Sequence, residues 1–219
     1  QALAYQTTGL FSTYFCLLSL LYGLAMQLYI VFLNDWADQC ADALNTTPTP
    51  FSGGSRVLVE KRLRPHHLLY AGLGAGLAVI ILGLLFAFSF NRPLALALFI
   101  IGLLLLWAYS LPPLRLNYRG GGELLQALGV GLVLPIAGFY LQAGQLPSIT
   151  PSENPLALVS LFSAYLYLQL SAAIAFALPD EEADRRAGKR TLASLLGIKK
   201  AGAITIALGL LTHLFLYTN

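Results

Sequence analysis

Six stretches of the 219-residue chain are long and apolar enough to cross a bilayer: 9–33, 67–89, 94–111, 122–142, 156–178 and 200–218. A helix needs about 20 apolar residues to span the hydrocarbon core. These runs are continuous rather than alternating, so they predict helices and not barrel strands. Composition agrees: 57% of residues are hydrophobic and 11% charged, where a soluble domain carries roughly a quarter charged residues. The expected fold class is therefore all-α, a polytopic transmembrane helix bundle. Gly72, Gly74, Gly76, Gly129 and Gly131 are expected where helices approach closely. A net charge of +3 argues for no nucleic-acid partner.

The loops between these runs alternate in character. Arg56, Lys61, Arg62, Arg64, Arg115, Arg119, Arg185, Arg186, Lys189, Arg190, Lys199 and Lys200 all fall in the first, third and fifth loops; only Arg92 lies elsewhere. The positive-inside rule assigns the crowded side to the cytoplasm and both ends of the chain to the other side. An outside N-terminus with no cleavable signal calls for either a further helix upstream of Gln1 or an unusual insertion route. Acidic residues follow the same asymmetry, Glu153 excepted, although topology does not require it of them. One end of the bundle thus carries a dense mixture of both charges, the property of a site for a charged substrate.

Within that population the carboxylates are patterned. From Thr8 to Leu33 the chain is uncharged, and then "LNDWADQCAD" places Asp35, Asp38 and Asp42 at the end of the first run. On a helix Asn34, Asp38 and Asp42 share a face, with Asp35 on its flank. Clustered carboxylates repel, and helix stability does not favour them. A multivalent cation reverses that penalty, and Mg²⁺ characteristically joins a few carboxylates to substrate phosphates. After the fifth run "PDEEADRRAGKRTL" repeats the spacing with Asp180 and Asp184, followed at once by Arg185, Arg186, Lys189 and Arg190. Two such pairs on one side read as halves of a single metal–diphosphate site, with bases meeting the remaining phosphate charge. Glu181 and Glu182 read as solvated charges.

The third loop, "WAYSLPPLRLNYRGGGE", breaks the third run at Pro112 and Pro113 and frees the backbone at Gly120–Gly122. Tyr109 reads either as part of an interfacial aromatic belt or as a wall of the reaction pocket, and Arg115 either as a topology determinant or as a phosphate contact. Gly53 and Gly54, in "TPFSGGSR", read either as a turn that offers backbone N–H groups to an anion or as a flexible loop. His66 and His67 have no partner at metal-ligand spacing. His213, alone in an apolar helix, reads as a hydrogen-bonded core residue. Cys16 and Cys40 are too few for a disulfide framework.

These motifs carry a resemblance. "NDWADQCAD" resembles the N-D-x-x-D-x-x-x-D motif of the UbiA superfamily of intramembrane prenyltransferases. "DEEADRRAGKRTL" is similar to its second motif, D-x-x-x-D followed by G-K-x-T, and "YSLPPLRL" to its Y-S-x-P-P-x-R-L loop. Motif order and spacing agree along essentially the whole chain. Within the superfamily, "FSGGSRVL" and "GELLQALGVGLVLPIAGFYLQAG" look most like the 1,4-dihydroxy-2-naphthoate prenyltransferases of menaquinone synthesis. That branch usually carries Asn-Asn-x-Arg-Asp at the second motif, where this chain has Ala177, Leu178 and Pro179 before Asp180.

The resemblance implies a nine-helix bundle, with residues 1–219 as a single prenyltransferase domain lacking the first and the last two helices. It implies Mg²⁺-dependent transfer of a polyprenyl group from its diphosphate to an aromatic acceptor within the lipid. Asp35, Asp38, Asp42, Asp180 and Asp184 would hold the metal. Asn34, Arg56, Arg115 and Lys189 would bind the diphosphate, and Asp38, Tyr109 and Asp184 would carry the chemistry. The implied setting is a bacterial inner membrane with the site facing the cytoplasm. Other acceptors fit the same motifs: 4-hydroxybenzoate, homogentisate, haem, a chlorophyll precursor or a glycerol phosphate lipid. Two other classes are a non-catalytic subunit of a membrane complex and a cation-coupled transporter. The carboxylates lie at run ends, not at the midplane where carriers commonly bind.

Overall fold

The computed structural model describes residues 1–46, 48–49, 53–147 and 155–217, with side chains left out of the description at 155–160. Helix follows helix, and no strand occurs among the described residues. A short α1 (Ala2–Thr8) precedes α2 (Thr13–Leu44), α3 (Pro65–Ser89) and α4 (Pro93–Ser110). The third loop holds α5 (Leu116–Arg119). The fourth crossing is α6 (Gly122–Leu128), a π-helical turn (Gly129–Val133) and α7 (Leu134–Ala143). Then come α8 (Pro155–Ala177), α9 (Glu181–Ala187), α10 (Leu192–Leu196) and α11 (Ile198–Tyr217). Among the described residues five crossings are long and apolar enough to span a membrane, and Leu161–Ala177 of α8 taken with α9 makes a sixth, although α9 turns away by 78°. The chain is an all-α polytopic membrane bundle.

The expected runs match these helices to within a few residues, except that the first helix continues well past Leu33. At about 1.5 Å per residue, the stretch from Thr13 to Leu33 covers a hydrocarbon core of about 30 Å. The 32-residue α2 therefore carries Asn34 to Leu44 out beyond it as uninterrupted helix. Ser12 caps its start by accepting from the Phe15 N–H at 3.3 Å. Proline begins α3 and α4, where the missing N–H costs nothing. Pro135 also explains the π turn. It has no N–H to return to Gly131, and Leu134 donates instead to the Gly129 carbonyl.

Outward faces are apolar: Leu17, Leu20 and Leu24 on α2, Leu73 and Leu77 on α3, and Ile206, Leu210 and Leu214 on α11 are all exposed. That surface suits lipid rather than water. Inside, Tyr22 of α2 stacks on Phe99 of α4 at 3.7 Å between ring centroids, within a core shared by α2, α3, α4 and α7. A second core joins Ile174, Ala193 and Ala201 of α8, α10 and α11. Three glycine expectations hold at close quarters, Gly76 among them, where a Cβ would lie 3.0 Å from the Tyr29 ring. A Cβ on Gly72 would lie 2.6 Å from the Leu33 side chain, and one on Gly131 would lie 3.0 Å from the Leu166 backbone. Gly74 instead faces open space, and Gly129 makes only ordinary contact. His213 departs from its expected place in the core. It is exposed on α11, its ring 4.3 Å from that of Tyr217, because the buried face of that helix is set by Ala201 and Thr212.

The two ends of the bundle are chemically distinct. At one end Arg92 donates to the Tyr140 carbonyl at 2.8 Å and lies 4.0 Å over the Phe15 ring. Gln142 there exchanges hydrogen bonds with the Ser12 backbone. This latch gathers the start of α2, the α3–α4 turn and the end of α7. The opposite end gathers the carboxylates.

Candidate active site

Asp38 is the hub of that end. It lies on the inner face of α2, one turn past the expected hydrocarbon boundary, and its side chain is 3% exposed. Lys189 reaches it from the turn after α9 at 2.9 Å and meets Asp184 at 3.6 Å. One ammonium, 151 positions from Asp38 in the chain, is thus shared by both carboxylates, and the two carboxylate motifs meet at one end of the bundle. Burial works against a charge on Lys189, but Asp38 and Asp184 overcome it and hold the amine above its ordinary value. Thr191 donates to Asp184 at 3.3 Å.

A second junction runs through the glycine turn. Asn45, at the end of α2, donates to Asp180 at 2.6 Å, and the Gly53 N–H donates to the other oxygen at 3.3 Å. The Ser55 N–H donates to Asp35 at 3.2 Å. The turn presents N–H groups to anions, those of Gly53 and Ser55 rather than of Gly53 and Gly54, and the anions are the protein's own aspartates. Gly54 is required here. A Cβ on it would sit 2.3 Å from Asp42 Oδ2 and 3.2 Å from Asp35 Oδ1, and its φ is +66°. Asp35 and Asp42 therefore close on the same point of the turn.

The other predicted residues take particular places. Asn34 accepts from the buried Ser110 hydroxyl at 2.9 Å. Arg56 donates to the carbonyls of Asp42 and Asn45, both at 3.2 Å, and so caps the end of α2. Arg115 donates to the Ala37 carbonyl at 3.4 Å and lies 3.8 Å over the Tyr118 ring. Its Nε is buried without a partner. Tyr109 packs beside Gly122, where a Cβ would meet its ring at 3.1 Å. Glu182 pairs with Arg186 on the surface, as a solvated charge does, whereas Glu181 pairs with Arg185 but is itself only 14% exposed.

Three residues escaped the sequence reading. Asn117 donates to both Asp38 oxygens at 3.4 and 3.3 Å, and the Tyr118 hydroxyl donates to Asp38 at 3.2 Å. Burial, with Asp38 adding to it, pushes the Tyr118 phenol up to about 12, so it stays a donor. Glu123 is buried and accepts from the Leu192 N–H at 2.6 Å. All three lie in the quoted third loop, and polar residues clustered between a double proline and an apolar run were the available signal.

Among the described residues, no three acidic, histidine or cysteine side chains converge closely enough to hold a metal ion by themselves. Asp35 and Asp42 do converge as a pair at Gly54. That pairing and its all-oxygen chemistry suit Mg²⁺, which takes one or two carboxylates and completes its shell with substrate phosphates and water.

Residues 2–219 match the UbiA prenyltransferase family. The chain belongs to that family. It is 29% identical over 180 residues to the chloroplastic chlorophyll synthase of Oryza sativa subsp. japonica, covering 81% of this chain and 44% of that protein. It is also 29% identical over 172 residues to a probable chloroplastic homogentisate phytyltransferase 2 of the same plant, covering 78% and 42%. The chain thus spans less than half the length of these curated relatives. No solved structure gives a significant match. UbiA membership agrees with the motif resemblance, while neither relative is named for a naphthoate acceptor.

Proposed function

We propose that the protein is a Mg²⁺-dependent membrane prenyltransferase that moves a polyprenyl group from its diphosphate to an aromatic acceptor. The observation that carries this reading is Lys189 bridging Asp38 of the first motif and Asp184 of the second. Carboxylates able to hold metal, set beside Lys189, Arg115 and Arg56 at one end of an apolar bundle, suit an amphiphile with a diphosphate head.

Asp35 and Asp42 would hold metal on one side of the mouth, with Asp38, Asp180 and Asp184 supplying further oxygen ligands. Bound there, Mg²⁺ would supply positive charge to the departing diphosphate. Lys189, Arg115 and Arg56 add fixed cations to the same end, and charge developing beside preorganised partners is the largest lever an enzyme has. The C–O bond to the prenyl carbon breaks with its electron pair leaving on the diphosphate. The acceptor ring attacks the allylic carbon, a C–C bond forms, and the displaced ring proton passes to a carboxylate of the mouth. The face of the Tyr109 ring stabilises allylic positive charge. The surrounding apolar helices keep bulk water from that carbon.

For the acceptor, the "FSGGSRVL" and "GELLQALG" segments favour 1,4-dihydroxy-2-naphthoate. The names of the two relatives favour a chlorophyll-type or homogentisate acceptor instead. Positive-inside placement puts the mouth on the cytoplasmic face, in a bacterial inner membrane on the naphthoate reading. The test incubates the full-length protein in lipid nanodiscs with Mg²⁺, a polyprenyl diphosphate and a panel of these aromatic acceptors, followed by product mass. A prenylated product that disappears on chelation is expected, and its mass names the acceptor. No product from any acceptor, with the protein folded, would refute the reading.

A further inference from the structure

The third loop and the second motif are joined by a contact that the proposed reaction does not use. Glu123 opens the fourth crossing, is buried, and accepts the Leu192 backbone N–H at 2.6 Å. Leu192 begins α10, and the turn just before it carries Lys189. That turn is stiff within itself. Ser194 donates to the Lys189 carbonyl at 2.8 Å and to the Thr191 carbonyl at 3.0 Å, and Thr191 accepts from the Ser194 N–H at 3.2 Å. A stiff turn needs one fixed point outside itself to set where its lysine lands. Glu123 supplies such a point from a different crossing.

We infer that Glu123 is a positioning residue, which anchors the 189–192 turn so that Lys189 stays seated between Asp38 and Asp184. It rests on the prenyltransferase reading only for the claim that a seated Lys189 serves the reaction. The role asks for an acceptor oxygen and not for a negative charge, so Glu123→Gln preserves it. A buried carboxylate accepting a single N–H at the start of the fourth crossing is otherwise hard to account for, since burying that charge is unfavourable.

Lysine acylation read residue by residue by mass spectrometry tests this without any transfer assay. The full-length protein in nanodiscs is labelled, with the exposed Lys199 and Lys200 as internal references. Lys189 is expected to be protected in the parent. Glu123→Ala removes the acceptor, and labelling of Lys189 relative to the references should rise roughly tenfold, the worth of one hydrogen bond to a charged group. Leu192→Pro removes the donor instead. Proline suits the first position of a helix, and the extended Thr191 (ψ 158°) suits the residue before a proline. It should give the same rise, so the test survives if Glu123→Ala does not fold. Glu123→Gln should keep the parent's protection. A folded Ala or Pro variant with Lys189 as protected as in the parent overturns the inference, as does a Gln variant labelled like the Ala variant. An inactive parent showing the expected labelling would refute the prenyltransferase reading and leave the anchor standing.

Discussion

Replacing Asp38 with Asn removes the charge that seats Lys189 while keeping a side chain of the same size. The Lys189 side chain is 13% exposed and that of Asp38 is 3% exposed, so solvent screens the pair little. Breaking a buried pair by removing one partner costs about 3–5 kcal/mol. Asp184 remains 3.6 Å from the ammonium and recovers part of this, which places the expected loss at about 3 kcal/mol, the low end of that range. For a chain of this size that is a fall in melting temperature of roughly 6–12 °C. Lys189→Met alone costs less, because Asn117 and Tyr118 still donate to Asp38. The double variant tests the contact itself. If the pair is real, Asp38→Asn strands no ammonium once Lys189→Met is also present. The double variant should then be more stable than the sum of the single losses predicts by about 1.5–3 kcal/mol. Melting curves of the parent, both single variants and the double variant in nanodiscs provide the cycle. Additivity within about 0.5 kcal/mol would show that the two motifs do not meet through Lys189.

Gly54→Ala should push a methyl into the Asp35–Asp42 pair and lower apparent Mg²⁺ affinity in the transfer assay on the order of 10–100-fold; an unchanged Mg²⁺ titration would remove that pair from the metal site. The raised Lys189 pKa sets a pH window. Its stabilisation is fully present below the ordinary lysine value of about 10.4 and is lost only as pH rises through the higher folded value. The melting difference between the parent and Asp38→Asn should therefore hold constant from about pH 8 to pH 9, above the Asp42 carboxyl that burial raises to about 7, and its collapse in that interval would mean a neutral Lys189. At the opposite end, Arg92→Ala loses the bond to the Tyr140 carbonyl and the Phe15 ring contact. It should cost about 1–2 kcal/mol in the same melts with prenyl transfer unchanged, and a loss of transfer without loss of stability would argue against a purely structural latch.

Much of this protein could be read along the chain because its strongest signals are local. A run such as 67–89 must be helical in lipid, whatever it packs against, since hydrocarbon offers its backbone no other partner. The Asp-x-x-x-Asp spacings at Asp38 and Asp42, and at Asp180 and Asp184, put like charges on one face of a helix. That cost calls for a cation before any fold is known. Loop charges likewise sort the ends of the bundle one loop at a time.

Pairings across the bundle were beyond that reading. Lys189 lies five residues from Asp184 and 151 from Asp38, and only the packing of α9 against α2 brings it to both. The third loop's own sequence does not pair Asn117, Tyr118 or Glu123 with these groups, and the fold is what aims them at Asp38 and Leu192. Arg56 read as a phosphate ligand, while the fold also has it cap the end of α2. His213 read as core because its helix is apolar on every side, and such a helix does not say which face it buries. Period and composition act within a segment and are written in it. Which carboxylate meets which cation depends on distances between segments, and those exist only once the helices have packed.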